Sequence, residues 1–258
     1  MRLATTRLPE SLREPLTTVF QAIADAMIVI VRWVLWAAPL GVFALSLGVG
    51  LRAGLGAAGV LLQYVIVVSG VTLGISILPY ILVAARRATG GPVSVREFAG
   101  AVAPVQALAI STQSSLACLP AMIERAKDDL KIPSRVTGLI LPLAVAVFRL
   151  TSPVANLAVA YFVAHLYGIE PSVAHMIGAV FVAFAVSVSA VGLPGQISFF
   201  ASMAPICLAL GVPVDVLPIL LAVEVIPDIF RTIGNVTGDL GVTAVLTDVD
   251  PEERREAA

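Results

Sequence analysis

Apolar residues come in long runs separated by short polar stretches along most of the chain. A membrane-spanning helix needs about 20 mostly apolar residues. Residues 22–49 meet that length and carry Trp33 and Trp36; residues 59–85 also meet it and stop at Arg86-Arg87. The polar stretch 86–97 holds three arginines, and the stretch 124–135 holds two arginines and two lysines. Positively charged loops lie on the cytoplasmic side, which places both on one face. Only residues 98–122 separate them, and a single crossing would put them on opposite faces. The centre of that run reads Ser111-Thr112-Gln113-Ser114-Ser115. A helix that dips in, turns at this tip and returns satisfies both constraints. Non-helical backbone at membrane depth persists only against protein or a water-filled cavity, so the tip is a candidate binding element.

The next run, 136–163, is interrupted by Phe148-Arg149-Leu150-Thr151-Ser152-Pro153. The run 173–210 is interrupted at 187–195 by Ser-Val-Ser-Ala-Val-Gly-Leu-Pro-Gly, a second hairpin of the same design. Paired broken segments point to a secondary-transporter site near the bilayer midplane. The last run, 216–246, reads as one helix. The predicted fold class is an all-α membrane protein, with several spans and two re-entrant helical hairpins. Residues 1–16 form a polar N-terminal segment, 17–87 two membrane helices, 88–246 a transport core and 247–258 a charged tail.

Composition agrees with this pattern. Of 258 residues 59% are hydrophobic and 13% charged, against about 25% charged in a soluble domain. No charged residue occurs between Glu97 and Glu124, or between Glu170 and Asp215. The net charge of -1 gives no basis for a nucleic-acid partner. Cys118 and Cys207 sit in apolar runs with no metal or disulfide spacing. The start of the chain mixes both signs of charge and does not read as a signal peptide. A multi-pass protein of a bacterial-type plasma (inner) membrane, with the lipid bilayer as partner, is expected.

The last run carries the chemistry. Glu224, Asp228, Arg231, Thr232, Asn235 and Asp239 are spaced by 4, 3, 1, 3 and 4 residues. At 3.6 residues per turn they share one narrow stripe. A charge at the bilayer centre costs about 2.5–3.5 kcal/mol on insertion scales, so these groups face protein, ions or a ligand. The plain alternative is an internal network in which Arg231 pairs with Asp228. That pairing leaves Glu224 and Asp239 without a cation, which a bound cation or a ligand amine would supply. Ser114 and Ser115 read equally well as a hairpin cap, and Gly192-Leu193-Pro194-Gly195 as a turn. An enzyme is not expected: the sequence has no His- or Cys-rich metal spacing and no paired nucleophile and base.

Together these pieces resemble the glutamate transporter family, the dicarboxylate/amino acid:cation symporters. The likeness rests on Ala38-Pro39-Leu40-Gly41-Val42-Phe43-Ala44, the Ser-rich tip before Leu119-Pro120, Leu141-Pro142-Leu143, Gly192-Leu193-Pro194-Gly195 and the stripe from Asp228 to Asp239, in that order. The resemblance implies two re-entrant hairpins meeting near the bilayer centre and an elevator-like movement of the transport domain. It implies that Asp228 binds a substrate ammonium group and Arg231 a side-chain carboxylate. Thr232, Asn235, Ser114, Ser115 and Ser152 would complete the substrate site, with Leu193 in the gate. Asp239 and Asn235 would hold one sodium ion, and backbone carbonyls of Ser187, Val188 and Ala190 a second. The acid at Asp228 favours an acidic amino acid, aspartate or glutamate, over a plain dicarboxylate.

Two departures qualify that picture. The family's broken helix reads Asn-Met-Asp-Gly-Thr, where this chain has Phe148-Arg149-Leu150-Thr151-Ser152. An acid that helps bind sodium is therefore Leu150, and its neighbour is Arg149. Arg149 is expected to replace one sodium, paired with Asp239, so that sodium coupling is reduced or absent. Proton coupling through Glu224 or Asp228, or plain exchange, is the alternative, and no cofactor is implied beyond Na+ or H+ as a coupling ion. The likeness also covers only about the second half of the family's length. A truncated or degenerate non-transporting relative, or one half of a split transporter, is the competing reading. Family members are homotrimers, so a homotrimer, or a partner chain supplying the missing helices, is the expected assembly.

Overall fold

The computed structural model describes residues 9–190 and 195–247, and every regular element among them is helical. The chain divides into two units, Met1–Ala44 and Leu45–Ala258. The described part of the first is helix from Glu10 onward, with Trp33 and Trp36 exposed. The first helix, α1 (Glu10–Ile75), thus starts inside the stretch read as a polar segment.

In the second unit α1 ends at a turn, Ser76-Ile77, before α2 (Leu78–Ala88). Pro79 sits in the first turn of α2, where its missing N–H would be unpaired anyway. Two helical pairs follow. In the first, α3 (Val95–Thr112) and α4 (Ser115–Asp128) pack together across a two-residue tip. Ser94 and Glu97 close a reciprocal capping box at the start of α3. At the tip Gln113 takes a left-handed conformation (φ 50°), and Ser114 Oγ accepts from Ala117 N–H to cap α4. In the second pair, α7 (Val173–Ser189) packs on α8 (Gly195–Leu210).

Between the pairs runs the broken helix. Here α5 (Ser134–Leu143) widens into a π-type turn, Ala144–Phe148, and stops at Arg149, before α6 (Thr151–Leu166) begins. The interruption lies where the polar insert predicted it. The last run differs from the expected single helix. It consists of α9 (Leu217–Leu221), a turn at Ala222–Glu224, and α10 (Val225–Leu246). Pro227 explains the break: with no N–H it cannot donate to the carbonyl four residues back, so the turn tightens and Ile226 N–H bonds Val223 O instead.

Two apolar clusters hold these elements. One joins the end of α1 (Tyr64, Val68) to α6, α7, α8 and α9; the other joins α2, α3, α4, α5 and α10. Outside them the pattern inverts that of a soluble protein. Phe181, Leu139 and Leu208 are exposed, whereas Glu224, Asp228, Arg231 and Asp239 are buried. Among the described residues, Ala58–Ala88 and Ser134–Leu166 are helical stretches long and apolar enough to cross a bilayer.

Candidate functional site

Helix α10 packs on α2, α3, α4, α5, α6 and α8, which makes it the internal axis of the unit. Its polar stripe is therefore covered by protein. Glu224, Asp228, Arg231, Thr232, Asn235 and Asp239 are all buried, with exposures of 6% or less. Arg231 lies between two acids. Its Nη1 is 3.1 Å from Asp228 Oδ1, and its Nη2 is 2.7 Å from Glu224 Oε1. The first contact is an aligned hydrogen bond. The second is a shorter ion pair without that alignment, and Nε has no hydrogen-bond acceptor. Buried polar groups are nearly always paired, so the open Nε N–H of this buried guanidinium marks a place for an acceptor.

Tyr64, on α1, was not foreseen. Its hydroxyl donates to Glu224 Oε2, so this carboxylate is held by Tyr64 and Arg231 together. The only sequence signal was a lone tyrosine within a mostly apolar run. Tyr64→Phe should leave one carboxylate oxygen without its donor. Leaving such a group unsatisfied costs about 1–3 kcal/mol, and a thermal melt of the purified protein in detergent would register the loss.

The break before α6 is tied to α10 by hydrogen bonds. Asn235 Oδ1 accepts from Thr151 N–H at 3.0 Å and from Thr151 Oγ1 at 2.9 Å. Thr151 Oγ1 also reaches the Arg231 carbonyl at 2.6 Å. The first turn of α6 has no cap of its own, and Asn235 serves that purpose from another helix. Asn235 Nδ2 donates to Ser152 Oγ at 2.9 Å. Thr232 Oγ1 donates to the Asp228 carbonyl at 2.9 Å.

Arg149 does not pair with Asp239, contrary to expectation. Its Nη1 donates to the Ala190 carbonyl at 2.9 Å and its Nε to Ser152 Oγ at 3.2 Å. Both partners are neutral oxygens. The reason is positional: Arg149 ends the widened turn and projects toward the end of α7, whereas Asp239 lies two turns along α10 from Arg231. Both Asp239 carboxylate oxygens are left buried with no hydrogen-bond partner, as is Ser187 Oγ.

A cavity of about 30 Å³ lies where α6, α7, α8 and α10 meet, room for about two waters. Arg149, Ser152, Ser187, Ala190, Asp228 and Arg231 line it, so six predicted site residues converge there. Asn156, Ser198 and Ser202 also line it and were not singled out in the sequence. Ser114 and Ser115 are buried at the other hairpin tip and do not line it. Thr232 and Asn235 support it from behind through the bonds above. Val188 is exposed, and Leu193 lies outside the described residues.

The residues fit a cation at Asp239 on one count, because a buried carboxylate with two unpaired oxygens needs a counter-charge. The Ser187, Val188 and Ala190 carbonyl set fits less well, because the Ala190 carbonyl already accepts a guanidinium.

The profile of the sodium:dicarboxylate symporter family matches residues 2–249. The proton/glutamate-aspartate symporter of Escherichia coli is 30% identical over 256 residues, covering 99% of this chain and 57% of that protein. The human neutral amino acid transporter A is 30% identical over 230 residues, 88% of this chain and 42% of the relative. The proton/sodium-glutamate symport protein of Bacillus subtilis is 27% identical over 235 residues, 91% of this chain and 53% of the relative. The chain spans about half the length of the curated relatives it matches. With the match running through the broken helix, both hairpins and the charged stripe, the chain belongs to the sodium:dicarboxylate symporter family.

Proposed function

We propose that this chain forms the substrate- and cation-binding core of a secondary active symporter for acidic amino acids. The observation that carries the reading is Arg231, a buried guanidinium on the wall of a polar cavity, with its Nε N–H lacking an acceptor and its Nη2 held by a misaligned carboxylate contact. A planar fork of this kind matches a carboxylate in two-point contact. Asp228, also on the cavity wall, supplies the complementary charge for an ammonium group. The two relatives whose names include glutamate are consistent with this choice.

The same geometry calls for co-transported cations. With all five groups ionised, Arg149 and Arg231 face Glu224, Asp228 and Asp239, and one negative charge is left over. An acidic amino acid adds another. Burying net charge in a low-dielectric core is costly, so one monovalent cation, sodium or a proton, balances the empty core and a second accompanies the substrate. Asp239, with its unpaired oxygens, is the natural place for one. In this reading the α3–α4 and α7–α8 pairs are re-entrant hairpins in a bacterial-type inner membrane, and the unit moves as an elevator. The cavity of about 30 Å³ is smaller than an amino acid, so binding in this reading requires Glu224 to move aside from Arg231.

The test is calorimetric or radioligand binding of aspartate, glutamate and succinate to the purified chain. Aspartate or glutamate should bind at least about tenfold more tightly than succinate, because only they use Asp228. Equal or tighter binding of succinate would overturn the amino-acid assignment.

A further inference from the structure

The end of α7 is held by a side chain rather than left open to an ion. Arg149 is the residue at the helix break, with φ 32°, a left-handed conformation that is sterically disfavoured for a residue bearing a Cβ. Its guanidinium reaches across to α7 and touches only neutral oxygens, the Ala190 carbonyl at 2.9 Å and the Ser152 hydroxyl at 3.2 Å. No carboxylate pairs with it among the described residues. A positive charge surrounded by a carbonyl and a hydroxyl has the surroundings that an alkali cation chooses, since hard cations take oxygen ligands. The neighbouring position is Leu150, which brings no charge to the place. Ser187 Oγ, on the same cavity wall, is buried without a partner.

We infer that Arg149 is a tethered cation that stands permanently in place of the exchangeable sodium that the family resemblance puts at the end of α7. The carbonyl set of Ser187, Val188 and Ala190 is then not a sodium site in this chain. The tether links the start of α6 to the end of α7 whatever the salt, so that contact is independent of sodium. Its charge also enters the balance of the buried core as a fixed quantity, which leaves Asp239 as the site where a mobile cation still matters. The inference deepens the symporter reading and rests on it only for the identity of the substrate.

The experiment compares the full-length chain with Arg149→Met and Arg149→Gln. Sodium chloride is titrated against choline chloride at constant ionic strength. Two quantities are read: the melting temperature without substrate, and the aspartate affinity as a function of sodium. Removing the tethered charge opens a place for an ion. Both variants should gain a sodium-specific rise in melting temperature beyond that of the unaltered chain. The slope of log Kd for aspartate against log sodium should steepen by about one. Arg149→Lys keeps the charge and should show neither gain. Folded variants whose sodium response matches the unaltered chain would overturn the inference. Arg149→Gln retains an amide donor for the Ala190 carbonyl, so it remains informative if the methionine variant does not fold. Should no form bind aspartate, the substrate reading fails, yet the sodium-dependent melting still decides the role of Arg149.

Discussion

Arg231→Ala should remove binding of aspartate and glutamate, with an affinity loss of at least about 100-fold. Truncating one member of a buried, hydrogen-bonded charge pair costs about 2–5 kcal/mol, and about 2.7 kcal/mol already corresponds to 100-fold. The loss here has two sources. The substrate carboxylate loses the planar fork whose Nε N–H is without an acceptor. Glu224 and Asp228, 2.7 Å and 3.1 Å from that guanidinium, also lose their counter-charge. The second effect acts on the folded state itself, because an uncompensated buried charge is destabilising by about 3–5 kcal/mol. Arg231→Lys separates the two. It keeps one positive charge between the acids but loses the planar pair of donors, so the protein should remain folded while the affinity falls by roughly ten- to 100-fold. A melting curve recorded beside each binding isotherm shows which effect is being read. Unchanged affinity in a folded Arg231→Ala variant would remove this residue, and the acidic amino-acid site built on it, from the account.

Glu224 is the second acid on that guanidinium. It reaches Arg231 from the turn before α10, whereas Asp228 reaches it from within the helix. In the proposed symporter, a substrate carboxylate that takes the fork displaces the Glu224 contact, and Tyr64 is left as the donor to Glu224. Tyr64 thus keeps the displaced acid from being left wholly unsatisfied. Besides Tyr64, the charged groups near Glu224 are Arg231 and Asp228.

Much of this was legible in the sequence because polar residues are expensive in an apolar run. The interruption at Phe148 to Pro153 and the stripe from Glu224 to Asp239 stand out against their surroundings for that reason. The structure breaks the helix at Arg149 and buries the whole stripe. What was not legible depended on distances between elements. Arg149 was expected beside Asp239, but helical periodicity says nothing about where a side chain at a break will reach, and it reaches Ala190. Tyr64 lies 160 positions from Glu224, and no local pattern joins them. The turn at Ala222–Glu224 was legible in principle, since Pro227 announces it, but the charged stripe made a continuous helix look sufficient. The Ser-rich tip at Ser114-Ser115 was visible as polar punctuation, while its capping geometry needed the coordinates.

Gly234→Ala should destabilise the protein by about 3 kcal/mol and weaken substrate binding at the same time. A Cβ at Gly234 would lie inside van der Waals contact with Thr151 Cγ2 and Ser76 Oγ, and 3.3 Å from Thr151 Cβ. Neither neighbour is free to turn aside. Thr151 Oγ1 bonds both Asn235 Oδ1 and the Arg231 carbonyl, and Ser76 Oγ bonds the Thr72 carbonyl at the end of α1. Overpacking of this kind costs about 1–3 kcal/mol or more, and the upper end applies because relief would break hydrogen bonds. The helix propensity of alanine offsets at most about 1 kcal/mol. The consequence for binding follows from position. Pushing Thr151 away from α10 shifts the first turn of α6, and Ser152 with it, away from Asn235 and the cavity. Gly178→Ala on α7 is the control, because a Cβ there meets nothing within 4 Å; it should leave stability unchanged or raise it by up to about 1 kcal/mol. Melting temperatures and aspartate isotherms of the two variants, measured side by side, would show the difference. A Gly234→Ala variant as stable as Gly178→Ala would mean that α6 and α10 are not held together at Thr151, and the bonds assigned to Asn235 would have to be redrawn.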